Sequence, residues 1–180
     1  SLFSNIVLLR AIHSKPDDPF NESVFMNDKL LIQKMYEEAG YFNTNIEIHF
    51  LAPTVPHFLQ VTFVIEENEP TRIREWTIDS AGRPKAKHLK PLFTLREGDI
   101  FKYPDLKDNI QALNKYFLQN HYFEAHIEPE VLTYTEDKSE VSIYIKVIPG
   151  PRYEFEIQGN FEISSYELLA PLREREDTVL

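Results

Sequence analysis

One short stretch decides the fold of this chain because it occurs twice, as GYFNTNIE at residues 40–47 and as HYFEAHIE at residues 121–128. The copies lie 81 residues apart, and at that spacing residues 8–42 align with residues 89–123 without a gap. Identities are few. The same order of helix, strand and turn signals at one spacing nevertheless indicates a tandem repeat of about 80 residues.

Three strands are predicted in the second copy. Residues 72–79 and 141–147 alternate apolar and polar side chains, with Trp76 and Ile78 on one face of the first of these strands. Residues 123–131 alternate in the same way. The apolar face of this third strand comprises Phe123, Ala125, Ile127, Pro129 and Val131.

Two helices are predicted between these strands. The first covers residues 87–95, and Pro91 kinks or shortens it. The second is longer and begins near Pro104, a residue that suits a first helical turn. Its apolar stripe steps by four, three and four residues through Leu106, Ile110, Leu113 and Phe117. The second copy therefore reads strand, helix, helix, strand, strand, an α+β pattern.

The first copy has the same parts without the opening strand. A short helix is predicted over residues 5–12 and a long one over 23–39, capped by Ser23 at its start and Gly40 at its end. The stripe of the long helix comprises Phe25, Ile32 and Tyr36, with Met35 beside them. Strands over 42–51 and 58–66 follow.

A third copy opens near the end of the sequence. Tyr153, Phe155 and Ile157 predict a strand, and Ser164 with Glu167 forms a capping box. We therefore expect three domains. They cover residues 1–69, which lack the opening strand, residues 70–149, which are complete, and residues 150–180, which are truncated.

Composition excludes several classes of protein. The chain has 180 residues, with 19 basic and 29 acidic side chains and a net charge of −10, so nucleic acid is not an expected partner. Without cysteine there is no disulfide, zinc–thiolate site or catalytic thiol. The apolar run over residues 6–9 stops at Arg10, far short of the roughly 20 residues that a membrane span needs.

The ionisable residues show no motif of a catalytic or metal site. His121 and His126 are five residues apart, whereas ligands on one helix face lie three or four apart. Adjacent carboxylates such as Glu66 and Glu67 point apart on a strand and do not form an acid–base pair. No glycine-rich phosphate loop or G-x-S-x-G turn occurs. We expect no enzyme activity, no cofactor and no metal.

The strands over 42–51 and 123–131 suggest a function. Pro129 has no N–H to donate, which places the second of them at a sheet edge, and an edge strand can accept a strand from a partner. The residues predicted to bind a partner are Asn43, Asn45, Glu47, His49, Phe123, Glu124, Ala125, His126, Ile127 and Glu128. Every open sheet has edges, however, and outward glutamates can also protect an edge against promiscuous pairing. The sequence therefore leaves open whether these edges bind a partner strand or only avoid unspecific pairing.

The order of elements resembles the POTRA (polypeptide-transport-associated) domains of the bacterial outer-membrane assembly superfamily. The resemblance rests on the helix ends that run into GYF at 40–42 and HYF at 121–123, and on LREGDIF at 95–101. It also rests on PGPRY at 149–153, which leads into FEIQGN at 155–160. Nearly the whole chain is covered, and the motifs are more specific together than singly.

This resemblance implies, for each domain, a three-stranded mixed sheet covered on one face by two helices. It also implies an export signal upstream, a C-terminal transmembrane β-barrel that provides the membrane association, and a jointed periplasmic arm. The predicted joints are Pro70, Arg72, Pro149, Gly150, Pro151 and Arg152. Such domains are scaffolds that bind unfolded outer-membrane proteins or accessory envelope proteins, partly by strand addition. We expect this chain itself to be a monomer.

Three other interpretations are open, which keep this fold with another role or assign the chain to another class of protein. The chain could be the periplasmic arm of a two-partner secretion transporter that recognises one dedicated exported substrate. An envelope or cell-division protein could use the same fold for assembly contacts. An enzyme would need convergent titratable groups from two copies, and no motif supplies them.

Overall fold

The computed structural model describes residues 2–15, 19–51 and 59–156. The capping box predicted at Ser164 and Glu167 lies outside these residues. The chain divides into two compact units. The first contains the described residues of Ser1–Arg74 with Glu97–Pro104 and Thr133–Val141, and the second contains Glu75–Arg96, Asp105–Leu132 and the described residues from Ser142 onward.

Two helices open the first unit: α1 spans Asn5–Ala11 and α2 spans Glu22–Glu38. The predicted cap at Ser23 is wrong. Asn21 precedes α2 in an extended conformation, and its side chain accepts a hydrogen bond from the backbone N–H of Ser23 at 3.1 Å, as an N-cap residue does. Gly40 lies just beyond the last turn, as predicted, with φ of +95°.

The sheet of the first unit is an antiparallel pair, β1 (Asn45–Leu51) and β2 (Gln60–Glu66). β1 begins three residues later than predicted because residues 42–44 form a turn, in which the Thr44 hydroxyl donates to the carbonyl of Tyr41 at 3.1 Å. The predicted start of the second strand at Phe58 lies outside the described residues. The core beneath this sheet is formed by Leu8, Ile12, Ile32, Tyr36 and Ile46, with Phe3, Met35, Tyr41, Phe63 and Ile65 packed against it.

The helices of the second copy are α3 (Ala86–Leu89), continued by a 3₁₀ turn (Lys90–Leu92), and α4 (Tyr103–Gln119). The predicted short helix is therefore real but ends earlier, with proline in the 3₁₀ turn. In α4 the predicted stripe is wrong at one position, because Ile110 is only half-buried while Asn109 is 4% exposed. Both long helices have 17 residues, and no described helix is long and apolar enough to cross a membrane.

The strands of the second copy are β3 (Arg72–Ser80), β4 (His126–Ile127), β5 (Val131–Tyr134) and β6 (Glu140–Ile148). Their order is β3-β6-β4, and β5 also pairs with β6. The single strand predicted over 123–131 is wrong. The strand is interrupted around Pro129 and resumes at Val131, where the alternation of inward and outward side chains is shifted by one residue. Val131 is consequently 55% exposed, and Leu132 is half-buried instead.

The helix ends of the two copies are built alike. After α2, the N–H groups of Gly40 and Tyr41 donate to carbonyls of the last turn, and after α4 those of His121 and Tyr122 do the same. This is the Schellman arrangement, which requires a left-handed residue just past the helix. Gly40 and His121, 81 residues apart, both have positive φ, +95° and +64°.

A buried polar clamp also recurs at this spacing. The carboxylate of Asp28, in α2, accepts hydrogen bonds from the backbone N–H groups of His13 at 2.7 Å and Ser14 at 3.0 Å. In α4 the side-chain oxygen of Asn109 accepts one from the N–H of Thr94 at 2.6 Å. Both clamps tie the loop before a long helix to that helix, so the repeat extends to contacts inside the core.

Candidate partner-binding edges of the sheets

The first predicted edge lies along β1. Its four predicted residues are Asn43, Asn45, Glu47 and His49, all exposed. Asn43 precedes the strand, in the turn, and its carbonyl accepts a hydrogen bond from the side chain of Asn68 at 2.8 Å. The other three share one face of β1, while Ile46 is 2% exposed on the opposite face. Alternation of polar and apolar residues therefore orients this strand as predicted.

Only one side of β1 is paired among the strands that the structure describes. Every residue of β1 lies opposite a residue of β2, from Asn45 opposite Glu66 to Leu51 opposite Gln60. In an antiparallel pair, alternate residues direct their N–H and C=O groups to the partner, and the intervening residues direct theirs to the other side. About half of the seven residues of β1 therefore present main-chain groups along an edge that can take another strand.

The second predicted edge is much shorter. β4 has two residues, opposite the last two of β6. The N–H of Glu128 donates to the carbonyl of Lys146 at 2.9 Å, so Ile127 belongs to the neighbouring pair without hydrogen bonds and directs its N–H away from β6. Pro129, the next residue with that orientation, has no N–H. β4 therefore offers one outward N–H where β1 offers several.

Three residues of the second predicted edge lie in a turn before β4. Phe123 and Glu124 are exposed, and the N–H of Ala125 donates to the carbonyl of Tyr122 at 3.1 Å. The hydroxyl of Tyr153 donates to a carboxylate oxygen of Glu124, and this hydrogen bond raises the pKa of Tyr153. These residues hold the turn together and are not part of a strand ladder.

The remaining three residues are His126, Ile127 and Glu128. His126 is exposed, and Ile127 is half-buried. The carboxylate of Glu128 accepts a hydrogen bond from the ammonium group of Lys146 at 2.8 Å, which raises the pKa of Lys146. This side chain therefore already has a partner on the sheet.

The residues at the predicted junctions have different surroundings. At the first, Pro70 is half-buried and the guanidinium of Arg72 donates to the carbonyl of Gly98 at 2.8 Å. The second comprises Pro149, Gly150, Pro151 and Arg152, which follow β6 without regular structure. Gly150 has φ of +66°, and a side chain there would start 3.1 Å from Cβ of Glu124, so both the conformation and the narrow space favour glycine.

The buried carboxylate of Asp28 has structural partners. Burial acts to raise the pKa of Asp28, but hydrogen bonds from Ser14 and from the backbone of His13 outweigh it and leave that pKa below its ordinary value. Asp28 thus remains a carboxylate inside its clamp. In the described ranges no three histidine or acidic residues group as metal ligands would.

The apolar periodicity did not predict this clamp, because Asp28 and Asn109 interrupt otherwise apolar stripes. The spacing of these two residues in the sequence nevertheless indicates the clamp. Both residues carry a short side chain with an acceptor oxygen, and they are 81 residues apart, in register with the repeat. A polar residue at the same core position of two copies indicates a buried hydrogen bond to a neighbouring backbone.

Comparison with known proteins gives matches over most of the chain. A family model described as POTRA, surface antigen variable number repeat, matches residues 1–68 and again 71–150. The outer membrane protein assembly factor BamA of Nitratidesulfovibrio vulgaris is 22% identical over 135 residues. That alignment covers 75% of this chain, which spans only 16% of the length of the relative.

A solved structure has a similar fold. The crystal structure of POTRA domains 3–5 of BamA from Haemophilus influenzae superimposes with a TM-score of 0.53 and 19% identity. The superposition covers 97% of this chain and 78% of the other. At this identity the likeness concerns the fold.

Proposed function

This chain belongs to the POTRA family, and on that premise we propose that it is a periplasmic, non-enzymatic part of an outer-membrane protein assembly or translocation factor of the BamA or TamA kind. The relative named as an assembly factor supports the proposal. We also propose that POTRA domains occupy residues 1–69 and 70–149, that a third begins over 150–180, and that the chain is a monomer.

The proposed partners are unfolded outer-membrane proteins or accessory envelope proteins, bound as extended segments. The observation that carries this proposal is the β1 edge: among the described strands its seven residues pair with β2 alone, and they turn an apolar face toward the core and a polar face toward solvent. An extended segment that adds there gains main-chain hydrogen bonds without regard to its sequence. This suits a protein that handles many clients.

β1 is a better candidate than β4 for this role. A strand added to β4 would find one outward N–H, at Ile127, because Pro129 has none. The carboxylate of Glu128 is also held by Lys146. We therefore assign strand addition to Asn45–Leu51 and regard the turn at 122–125 as part of the scaffold.

Strand addition can be tested with a matched pair of modified peptides. A ten-residue peptide of alternating valine and threonine is N-methylated at every second residue, in one version on the valines and in the other on the threonines. An antiparallel strand whose valines lie on the apolar face of the sheet turns one fixed edge toward β1, so one version should lose binding to the full 180-residue chain and the other should keep it. Equal affinities of both versions, or no binding of the unmodified peptide, would refute the proposal.

A further inference from the structure

The sheet of the first unit is formed by a stretch of sequence that carries glutamates but no lysine or arginine. Between residues 35 and 71 the sequence has six glutamates and no lysine or arginine, and both β1 and β2 fall inside this stretch. Glu47 and Glu66 lie on the exposed face of the sheet, where Glu66 is opposite Asn45. A strand that adds beside β1 would therefore meet an acidic surface.

Three phenylalanine rings lie at the other end of the same strand. The ring of Phe50 lies 5.5 Å from that of Phe20 and 5.8 Å from that of Phe25, between centroids, and the last two rings are 5.7 Å apart. We call these three residues the phenylalanine cluster. Phe20 is 56% exposed and Phe50 40%, so the cluster offers aromatic surface to a further apolar side chain.

From these two features we infer that the β1 edge selects extended segments in which a basic residue follows an apolar one at a fixed spacing. The inference rests on the proposed function, because it requires strand addition to β1. It adds a specificity that main-chain hydrogen bonds alone would not give. The partner is an extended polypeptide with an apolar residue for the phenylalanine cluster and a lysine or arginine for Glu47.

The spacing follows from the alternation of β1. Phe50 and Glu47 are three residues apart, so their side chains lie on opposite faces of the sheet. The proposal takes the added strand to run antiparallel to β1, as β2 does. The residue opposite Phe50 then comes first, at position n, and the residue opposite Glu47 comes third after it. The selected pattern is therefore an apolar residue at n and a basic residue at n+3, on the two faces of the added strand.

Two nitrogen-bearing side chains already lie close to β1. The ammonium group of Lys138 lies 3.4 Å from the carbonyl of Phe42, three residues before β1 begins and at the end away from the phenylalanine cluster. Glu47 Oε2 lies 3.1 Å from His49 Nε2 on the same face. A carboxylate accepts several hydrogen bonds, so this contact leaves capacity for a lysine across the edge.

The charge part of the inference is tested with peptides that differ at n+3. Ten-residue peptides carry phenylalanine at n and either lysine or glutamine at n+3, and their affinities for the full chain are measured at low salt. The lysine peptide should bind about 1.5- to 5-fold more tightly, as expected for one exposed ion pair. Glu47→Gln should abolish this preference, whereas Glu69→Gln, which removes an exposed charge outside both strands, should retain it.

The proposed apolar contact is tested with peptides that carry either phenylalanine or serine at position n. Phe20→Ser should weaken the phenylalanine peptide by about 2- to 12-fold, the range for loss of an aromatic contact. It should leave a peptide with serine at n unchanged. Because Phe20 is more than half exposed, this variant is expected to fold.

The outcomes separate the inference from the function on which it rests. Equal affinity of lysine and glutamine peptides, or a lysine preference that survives Glu47→Gln, would overturn the charge selection while strand addition stands. If Phe20→Ser weakened binding of the phenylalanine peptide and of the serine peptide equally, the aromatic contact would be overturned. Failure of all peptides to bind would overturn the proposed function, and the inference with it.

Discussion

Replacing Gly40 by alanine tests how the first unit is packed. Gly40 has φ of +95°, a conformation that costs a residue with a side chain about 1–2 kcal/mol. A Cβ atom there would overlap with Cγ2 of Ile100 and would lie 2.7 Å from the carbonyl oxygen of Phe101. The side chain of Ile100 can shift, but the Phe101 carbonyl belongs to the backbone, so overpacking should add about 1–3 kcal/mol. The expected loss is about 2–5 kcal/mol in the free energy of unfolding.

Gly98 provides a matched control in the same unit. Its φ is +86°, and a Cβ atom there would meet nothing within 4 Å. Gly98→Ala should therefore cost only the conformational part, about 1–2 kcal/mol. The smaller unfolded-state entropy of alanine affects both variants equally and cancels in their difference.

Urea unfolding of the full chain, followed by far-UV circular dichroism, measures both variants against the unchanged protein. The account predicts that Gly40→Ala lowers the free energy of unfolding by about 1–3 kcal/mol more than Gly98→Ala does. Equal losses in the free energy of unfolding would show that the loop Glu97–Pro104 does not pack against the end of α2. The contacts assigned to Ile100 and Phe101 would then be wrong.

The other predictions concern the buried clamp and the core. Asp28→Ala should cost about 2–4 kcal/mol in urea unfolding because it leaves the N–H groups of His13 and Ser14 without an acceptor, while Asp28→Asn should cost less than half as much. Since the folded pKa of Asp28 lies below its unfolded value near 3.8, its carboxylate stabilises the fold above that value and loses the effect as pH falls through the folded pKa. The stability difference between wild type and Asp28→Asn should therefore shrink as the pH falls from about 5 through the folded pKa, and a constant difference would contradict this reasoning. Leu113→Ala should cost about 2–5 kcal/mol because Leu113 is 0% exposed, and Leu30→Ala, at 63% exposed, should change stability by less than about 0.5 kcal/mol.

The sequence predicted the elements of this fold well where one periodicity dominated each element. The long helices, β3 and β6 lie within a few residues of their predicted bounds because their apolar residues keep a single period. The strand predicted over 123–131 was wrong because Pro129 breaks the ladder and shifts the register by one residue. A period-two pattern does not reveal such a shift when apolar residues continue on both sides of it.

The candidate site was predicted in part. Asn45, Glu47 and His49 share an exposed face of β1, as the alternation required. Which edge has free main-chain groups could not be read from side-chain pattern, because it depends on strand length and on hydrogen-bond pairing such as that of Glu128 with Lys146. The phenylalanine cluster was missed for a related reason, since Phe20 and Phe50 are far apart in sequence and meet only in the folded unit.

Addition of an extended partner to the edge of β1 that no described strand covers is the step on which the proposed function rests. It is tested most directly by titrating the isotope-labelled 180-residue chain with the alternating ten-residue peptide and following the backbone amide signals by NMR. The account predicts that the largest shifts fall on Asn45–Leu51, with smaller changes at the paired residues of β2. Amide signals of β1 that stay unmoved at about 1 mM peptide, or shifts confined to the helices, would contradict it.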